Sequence, residues 1–300
     1  MNLHLLRIFY TVAVERSFSR AADVLCISQP AVSKGVRELE HQLDIGLIER
    51  AQGAGRRQQG VQLTTNGAVL FEHARGLFAL EKAAVDDLHA RLGLKRGALV
   101  VGASSTIAGY WLAPVLGRFA ESNPDIDLQV KVGNTESVRQ ALIDCQVDVA
   151  LVEGEVSDSR MRCRPWLDDP LTVIAPPSLG LEDISIETLT SQCWIEREPG
   201  SGTRDVVRGL LSDCGVVPDR RIEIGSNEAI ARAVASGLGL AMLPRAVVSD
   251  LITLERVVEV RLPGTSKISR PLYELEYTSR PLSPAAQAFT SLLRESATKA

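Results

Sequence analysis

The hydrophobic pattern of this 300-residue chain changes period close to residue 97, and that change sets what the chain can fold into. Before it, apolar residues recur at three- and four-residue steps, as the buried face of an α-helix requires. After it, short apolar runs such as "ALVVGA", "IDLQVKV" and "DVALVEG" alternate with helical stretches. A strand–helix–strand series implies a mostly parallel sheet covered by helices. Two or three domains are therefore expected. Charge divides at the same place. The net charge of −4 argues by itself against a nucleic-acid partner, but residues 1–96 hold 13 Lys and Arg against 10 Asp and Glu, whereas residues 97–300 hold 20 against 27. A basic head on an acidic body is the asymmetry of a nucleic-acid-binding arm.

Within the head, Leu3, Leu6, Phe9, Tyr10 and Val14 mark a first amphipathic helix. Ser17 or Ser19 can cap a second, through Ala21, Ala22 and Leu25. After the turn Cys26-Ile27-Ser28, the run Ser28, Gln29, Pro30, Ala31 opens a third helix, since proline is tolerated in a first turn. Val32, Val36, Leu39 and Leu43 point inward, and Gln29, Ser33, Lys34 and Arg37 lie opposite. Gln can read adenine, Ser several bases, and Lys or Arg guanine or phosphate. Ser33 and Arg37 are expected to read bases and Lys34 to hold phosphate. "LIERAQGAGRRQQGVQLTTNG" reads as two short strands around a loop, with Arg50, Arg56, Arg57 and Thr64 placed for DNA contact. A helical hairpin with a solvated polar face is the plainer alternative.

"LHLLRIFYTVAVERSFSRAADVLCISQPAVSKGVRELEHQLDIGLIER" followed by "LTTNG" closely resembles the winged helix-turn-helix of LysR-type transcriptional regulators, over some sixty residues. "AQGAGRRQQGVQ" is longer than the usual wing of that family. The resemblance extends over residues 97–300 to the family's two-lobed, periplasmic-binding-protein-like effector domain. It implies an α/β chain in three parts: a winged helix-turn-helix at 1–64, a linker and dimerisation helix with hinge at 65–96, and an effector-binding domain at 97–300. The first lobe would take about 97–165 and 268–300, the second about 166–267. Double-stranded DNA with a pseudo-palindromic site, a small anionic effector, one or three further copies of the chain, and RNA polymerase are the implied partners. "REPGSGTR" with "GNTE" and "LVEG" resembles, more narrowly, members tied to sulfur-anion and carbon-fixation metabolism.

Between head and body, Thr65 can cap a long helix whose Phe71, Ala74, Phe78, Val85, Leu88 and Leu92 fit an a/d seam, with Glu81 as a charged break. The stripe can be buried on the chain's own body or against the same helix of a second copy. Gly93 and Gly97 around "LKR" read as a hinge.

In open α/β lobes, ligands sit where strands end and helices begin. Ser104, Ser105 and Thr106 end the first strand, and Asn134 and Thr135 the second. Ser201, Gly202, Thr203 and Arg204 follow a strand of the second lobe, and Asn227 opens a later helix. Donor-rich helix starts facing each other suit a small oxyanion or carboxylate, although each also fits ordinary capping. Glu153, Glu196 and Glu198 lie near the same edges and would repel an anion if they point inward.

Catalysis is not expected. All four histidines precede residue 97, so the body has no His base or His metal ligand, and "GSGTR" lacks the arrangement of a nucleophile elbow. No cofactor or metal is expected. The five cysteines are scattered and odd in number, as for small buried residues in a reducing cytoplasm, with redox sensing as the alternative. The N-terminus lacks the layout of a signal peptide and no apolar run reaches spanning length, so a soluble cytoplasmic protein is expected. A transport solute-binding protein is the rival reading of the body. An export signal and the lack of a DNA-binding head would mark it.

Overall fold

The computed structural model describes residues 2–49, 60–91, 97–179, 185–262 and 268–297. They form two compact units, Met1–Ala84 and Val85–Ala300. In the first, α1 (Leu3–Glu15), α2 (Phe18–Leu25) and α3 (Gln29–Leu43) begin at Asn2, Ser17 and Ser28, whose side chains each accept a backbone N–H of the first turn. Ser17 alone caps α2, since Ser19 lies inside the helix. The helices close around Leu6, Ile8, Phe9, Val12, Ala21, Ala22, Val32, Val36 and Leu39. Two expected core positions differ. Leu3 is exposed and Val14 only partly buried, because the inward face of α1 turns through Ile8 and Val12 instead. There α3 passes so close that a Cβ on Gly35 would meet Ile8 Cδ1 at 2.7 Å. Ile48 and Leu63 form an antiparallel bridge, the base of the wing.

The long helix α4 (Thr65–Arg91) is capped one residue earlier than expected. Thr64 Oγ1 accepts from Gly67 N (2.9 Å) and donates to Gly46 O (2.8 Å). The expected seam is split. Phe71 and Phe78 each lie 5.3 Å from the Tyr10 ring, and Ala74 is buried beside them. These three residues serve the core of their own unit, and Glu81 pairs with Arg7 of α1. Val69, Leu77, Leu80, Val85 and Leu88 remain exposed along α4. Leu92 and the 93–96 part of the hinge lie outside the described residues.

In the second unit, β1 (Gly97–Ser104) leads into α5 (Ala113–Ser122), followed by β2 (Ile126–Gly133), α6 (Thr135–Ile143) and β3 (Val149–Glu153). The chain then crosses to a second lobe on β4 (Met161–Ala175). That lobe holds α7 (Ile186–Ser191), β5 (Cys193–Glu196), α8 (Gly202–Asp213), β6 (Arg220–Glu223), α9 (Asn227–Ala235), β7 (Ala241–Pro244), α10 (Arg245–Thr253) and β8 (Val258–Val260). It returns on β9 (Ile268–Tyr277), and α11 (Pro284–Ala297) packs on the first lobe. The main sheet runs β2-β1-β3-β9-β4-β7, with β8 also on β4.

This sheet is not mostly parallel, as the sequence pattern suggested. Only β1 pairs in parallel, with β2 and β3, while β9 and β4 carry antiparallel ladders. The reason is topological. β4 leaves the first lobe and β9 returns to it, so neighbours that cross the same boundary must run oppositely. Their ladder extends from Met161↔Tyr277 to Leu171↔Ile268, with a register shift between Pro165 and Leu167. Trp166 and Leu272 belong to the core of the first lobe, with Leu99, Val101, Phe119 and Phe289. Leu171 belongs to a core of the second, with Trp194, Leu211 and Met242.

Candidate DNA-reading face and effector cleft

The capping geometry of α3 decides which side chains it can offer. Ser28 is the cap itself, accepting from Ala31 N, and Pro30 lies in the first turn, where no intrahelical N–H is needed. With Val32, Val36 and Leu39 buried, Gln29, Lys34 and Arg37 are exposed and Ser33 is half-buried between them. Gln29 Nε2 donates to Ser33 Oγ at 3.0 Å, and Arg37 Nε donates to Ser33 O at 3.2 Å. The three residues form one row at i, i+4 and i+8, held in place before any ligand arrives. Thr64, expected beside them, has its hydroxyl committed to capping α4. Arg50, Arg56 and Arg57 lie outside the described residues.

The second site is built where strands of both lobes end. Thr106 follows β1 and caps a single π-turn, Ile107–Trp111. Its hydroxyl accepts from Asn227 Nδ2, at the start of α9 in the opposite lobe, at 2.8 Å, and both residues are buried. Ser104 Oγ accepts from Ile107 N, and Ser105 is half-buried. At the other side, Asn134 caps α6 and donates to Glu198 at 3.1 Å, while Gly202 N donates to Thr135 Oγ1 at 3.2 Å. Glu136 N donates to Gly200 O at 3.0 Å. Helix α8 starts so close to the first lobe that a Cβ on Gly202 would meet Glu153 O at 2.0 Å. Ser201 is buried and makes no side-chain capping bond.

A buried ionic cluster joins these parts. Arg270 of β9 donates to Asp169 of β4 through Nε (2.9 Å) and Nη2 (2.7 Å). It also donates to Thr203 Oγ1 (2.5 Å) and Glu153 Oε1 (3.4 Å). Arg270 and Asp169 are fully buried, and Glu153 is 3% exposed. Burial pushes the Asp169 carboxyl above the ordinary range, against the pull of Arg270. Glu198 moves the other way: burial would raise it, but Arg197 and Asn134 hold it below the usual range.

The structure thus brings Ser104, Thr106, Asn134, Thr135, Glu153, Gly202, Thr203 and Asn227 to the boundary between the lobes. Arg204 and Glu196 depart from the expected site. As the third residue of α8, Arg204 turns back over β5 and β6, where it meets Arg197 O, Glu223 and Glu196. Glu196 also pairs with Arg208. The central cation is Arg270, which the sequence reading missed together with Asp169. Both stand in strands that carry several other charges, so nothing in the sequence singled them out.

Among the described residues, no group of three His, Cys, Asp or Glu is placed to hold a metal ion. The cysteines are not the buried set expected. Cys26 is exposed and the other four are partly buried, without disulfides. No described helix is long and apolar enough to cross a membrane.

Residues 3–68 match the model of the bacterial regulatory helix-turn-helix protein, lysR family, and residues 92–298 match the LysR substrate binding domain. The HTH-type transcriptional regulator CysL of Bacillus subtilis is 33% identical over 259 residues, covering 85% of each chain. The RuBisCO operon transcriptional regulator of Allochromatium vinosum is 32% identical over 302 residues, covering 100% of this chain and 97% of its own. Among solved structures, the regulatory domain of CcmR from Synechocystis PCC6803, in complex with 2-PG, matches with a TM-score of 0.60 and 30% identity, over 67% of this chain and 98% of that one. A regulatory helix-turn-helix on the same chain also separates it from a transport solute-binding protein. With both of its parts matched, the chain belongs to the LysR family of transcriptional regulators, a DNA-binding head followed by an effector-binding domain.

Proposed function

We propose that this regulator binds promoter DNA as a dimer or tetramer and that a small anionic effector between the lobes modulates the binding. In this reading residues 1–64 bind DNA, 65–96 link and pair the copies, and 97–300 bind the effector. The observation that carries it is the row Gln29, Ser33 and Arg37, exposed on α3 opposite a fully buried face. Ser33 and Arg37 meet base edges, and Lys34 meets phosphate. The exposed Val69, Leu77, Leu80, Val85 and Leu88 on α4 suit pairing with the same helix of a second copy, which sets two recognition helices on a pseudo-palindrome. Ser105, Thr106, Thr135, Ser201, Thr203 and Asn227 surround the effector. The relatives CysL and the RuBisCO operon regulator support a role in sulfur or carbon metabolism. The chain works without a catalytic step, in the compartment that holds the DNA.

The test is footprinting of the wild-type chain on the region upstream of its own gene and of any divergent neighbour, repeated with Arg37→Ala. Protection of two half-sites, lost or made indiscriminate by the substitution, is the expected outcome. Unchanged affinity and preference in Arg37→Ala would show that α3 does not read the site.

A further inference from the structure

Helix α8 has different neighbours along its length. Its first turn meets the first lobe at Gly202, whereas Val207 and Leu211, further on, pack with Trp194 of β5. The packing there is incomplete. Trp194, Val207, Leu211 and Val216 are buried, none more than 7% exposed, yet a cavity of about 180 Å³ opens between α8, β5 and the segment that leads into β6. The cavity belongs to the second lobe alone, since its lining residues all fall between Trp194 and Arg221. The residues placed around the effector between the lobes are not among them. Its floor is apolar, and Trp194 offers it no polar atom, because its Nε1 donates to Leu189 O at 2.8 Å. An apolar cavity of about 150 Å³ takes up a molecule the size of benzene rather than water.

The charged lining is Arg208, Arg221 and Glu196, one positive charge in excess. Glu196 is already engaged. Arg208 Nε donates to its Oε2 at 2.9 Å and Arg208 Nη2 to its Oε1. Arg221, exposed on β6, makes no hydrogen bond or close ion pair among the described residues. Val217, 63% exposed, carries the apolar surface out to the rim. We propose that this pocket is a second ligand site, for a small carboxylate with a ring or branched alkyl body. The body rests on Trp194, Leu211 and Val216, and the carboxylate pairs with Arg221. A neutral molecule of the same shape would leave that guanidinium without a counter-ion, and an ammonium would meet two guanidinium groups. A short acid such as acetate would leave the apolar floor uncovered.

The experiment is calorimetric titration of the full chain with cyclohexanecarboxylate, 4-methylpentanoate, cyclohexylmethanol, cyclohexylmethylamine and acetate. At least one of the two bulky acids should bind about tenfold more tightly than the alcohol, which lacks the charge-assisted bond, and than acetate, which buries no apolar body. Arg221→Met should bring that acid within about threefold of the alcohol. It should leave the melting temperature unchanged, because Arg221 is exposed. Val207→Phe, which puts a ring into the cavity, should abolish binding of acid and alcohol alike, and circular dichroism melting confirms that the variant folds. Binding of the acid that survives both substitutions and is lost in Thr106→Val would overturn the proposal and place the acid between the lobes. A changed sedimentation of Arg221→Met would overturn it too, by showing that a second copy of the chain covers the pocket. Equal binding of acid, alcohol and amine, or no binding of either bulky acid at millimolar concentration, overturns the proposal as well.

Discussion

Replacing Arg270 by methionine should remove the cation that Asp169 and Glu153 share in a buried cluster. The guanidinium lies 2.7 Å from Asp169 and 3.4 Å from Glu153, and none of the three is more than 3% exposed. Breaking a buried pair from one side costs about 3–5 kcal/mol, because the remaining charge keeps its desolvation penalty. For a unit of this size that is a fall in Tm of roughly 6–20 °C. The loss depends on pH with a definite sign. Burial already raises the Asp169 carboxyl and Arg270 lowers it. Without Arg270, burial and Glu153 act together in the raising direction. A carboxyl whose folded pKa lies above its unfolded value binds its proton more tightly when folded, so stability falls as pH rises through that interval. Arg270→Met should therefore lose most at pH 7.5 and recover part of the loss at pH 5. Adding Asp169→Asn should reduce that dependence. Thermal melts of the full chain at the two pH values measure it. A loss below about 1 kcal/mol, or an equal loss at both pH values, would refute the account of the cluster.

Leu80→Asp should weaken self-association in sedimentation at low micromolar concentration while leaving the melting of the helix-turn-helix nearly unchanged, because Leu80 is exposed. Phe78→Asp, by contrast, should unfold that unit, since Phe78 packs on Tyr10 and should cost about 3–5 kcal/mol, as loss of a core aromatic does. Lys34→Ala should weaken specific and non-specific DNA binding alike and lower the salt slope by about one, whereas Arg37→Ala should cost about 1–3 kcal/mol on the specific site alone. Gly202→Ala should destabilise the second unit by about 1–3 kcal/mol, because its Cβ meets the Glu153 carbonyl rather than a side chain that can swing away. A melt indistinguishable from wild type would show that α8 can retreat from β3.

What the sequence disclosed was what local patterns carry. The caps at Ser17 and Ser28, the inward Val32, Val36 and Leu39, and the strand–helix alternation after residue 97 are consequences of short-range chemistry. The errors arose where a distant segment decides. Phe71 and Phe78 fit a seam that could be covered by the chain itself or by a second copy, and period alone cannot say that Tyr10 covers them. Arg204 read as the anion's partner because its place after "GSG" is visible in the sequence, but Glu223, which draws it away, lies 19 residues further on. Arg270 and Asp169 stand 101 positions apart and become a pair only through the β4–β9 register.

The antiparallel crossing of β4 and β9 makes the second lobe an insertion into the first. Its two ends, Asp168 and Pro271, are register partners on adjacent strands. A segment that leaves and re-enters a host fold at neighbouring points can be exchanged without altering how the host chain closes. Residues 168–271 are thus a natural cassette. Grafting the corresponding span from another family member would transplant half of a ligand specificity onto this DNA-binding head. The pairs that bond across the boundary, among them Thr106 with Asn227, Thr135 with Gly202, Asn134 with Glu198 and Glu136 with Gly200, would have to be matched at the suture.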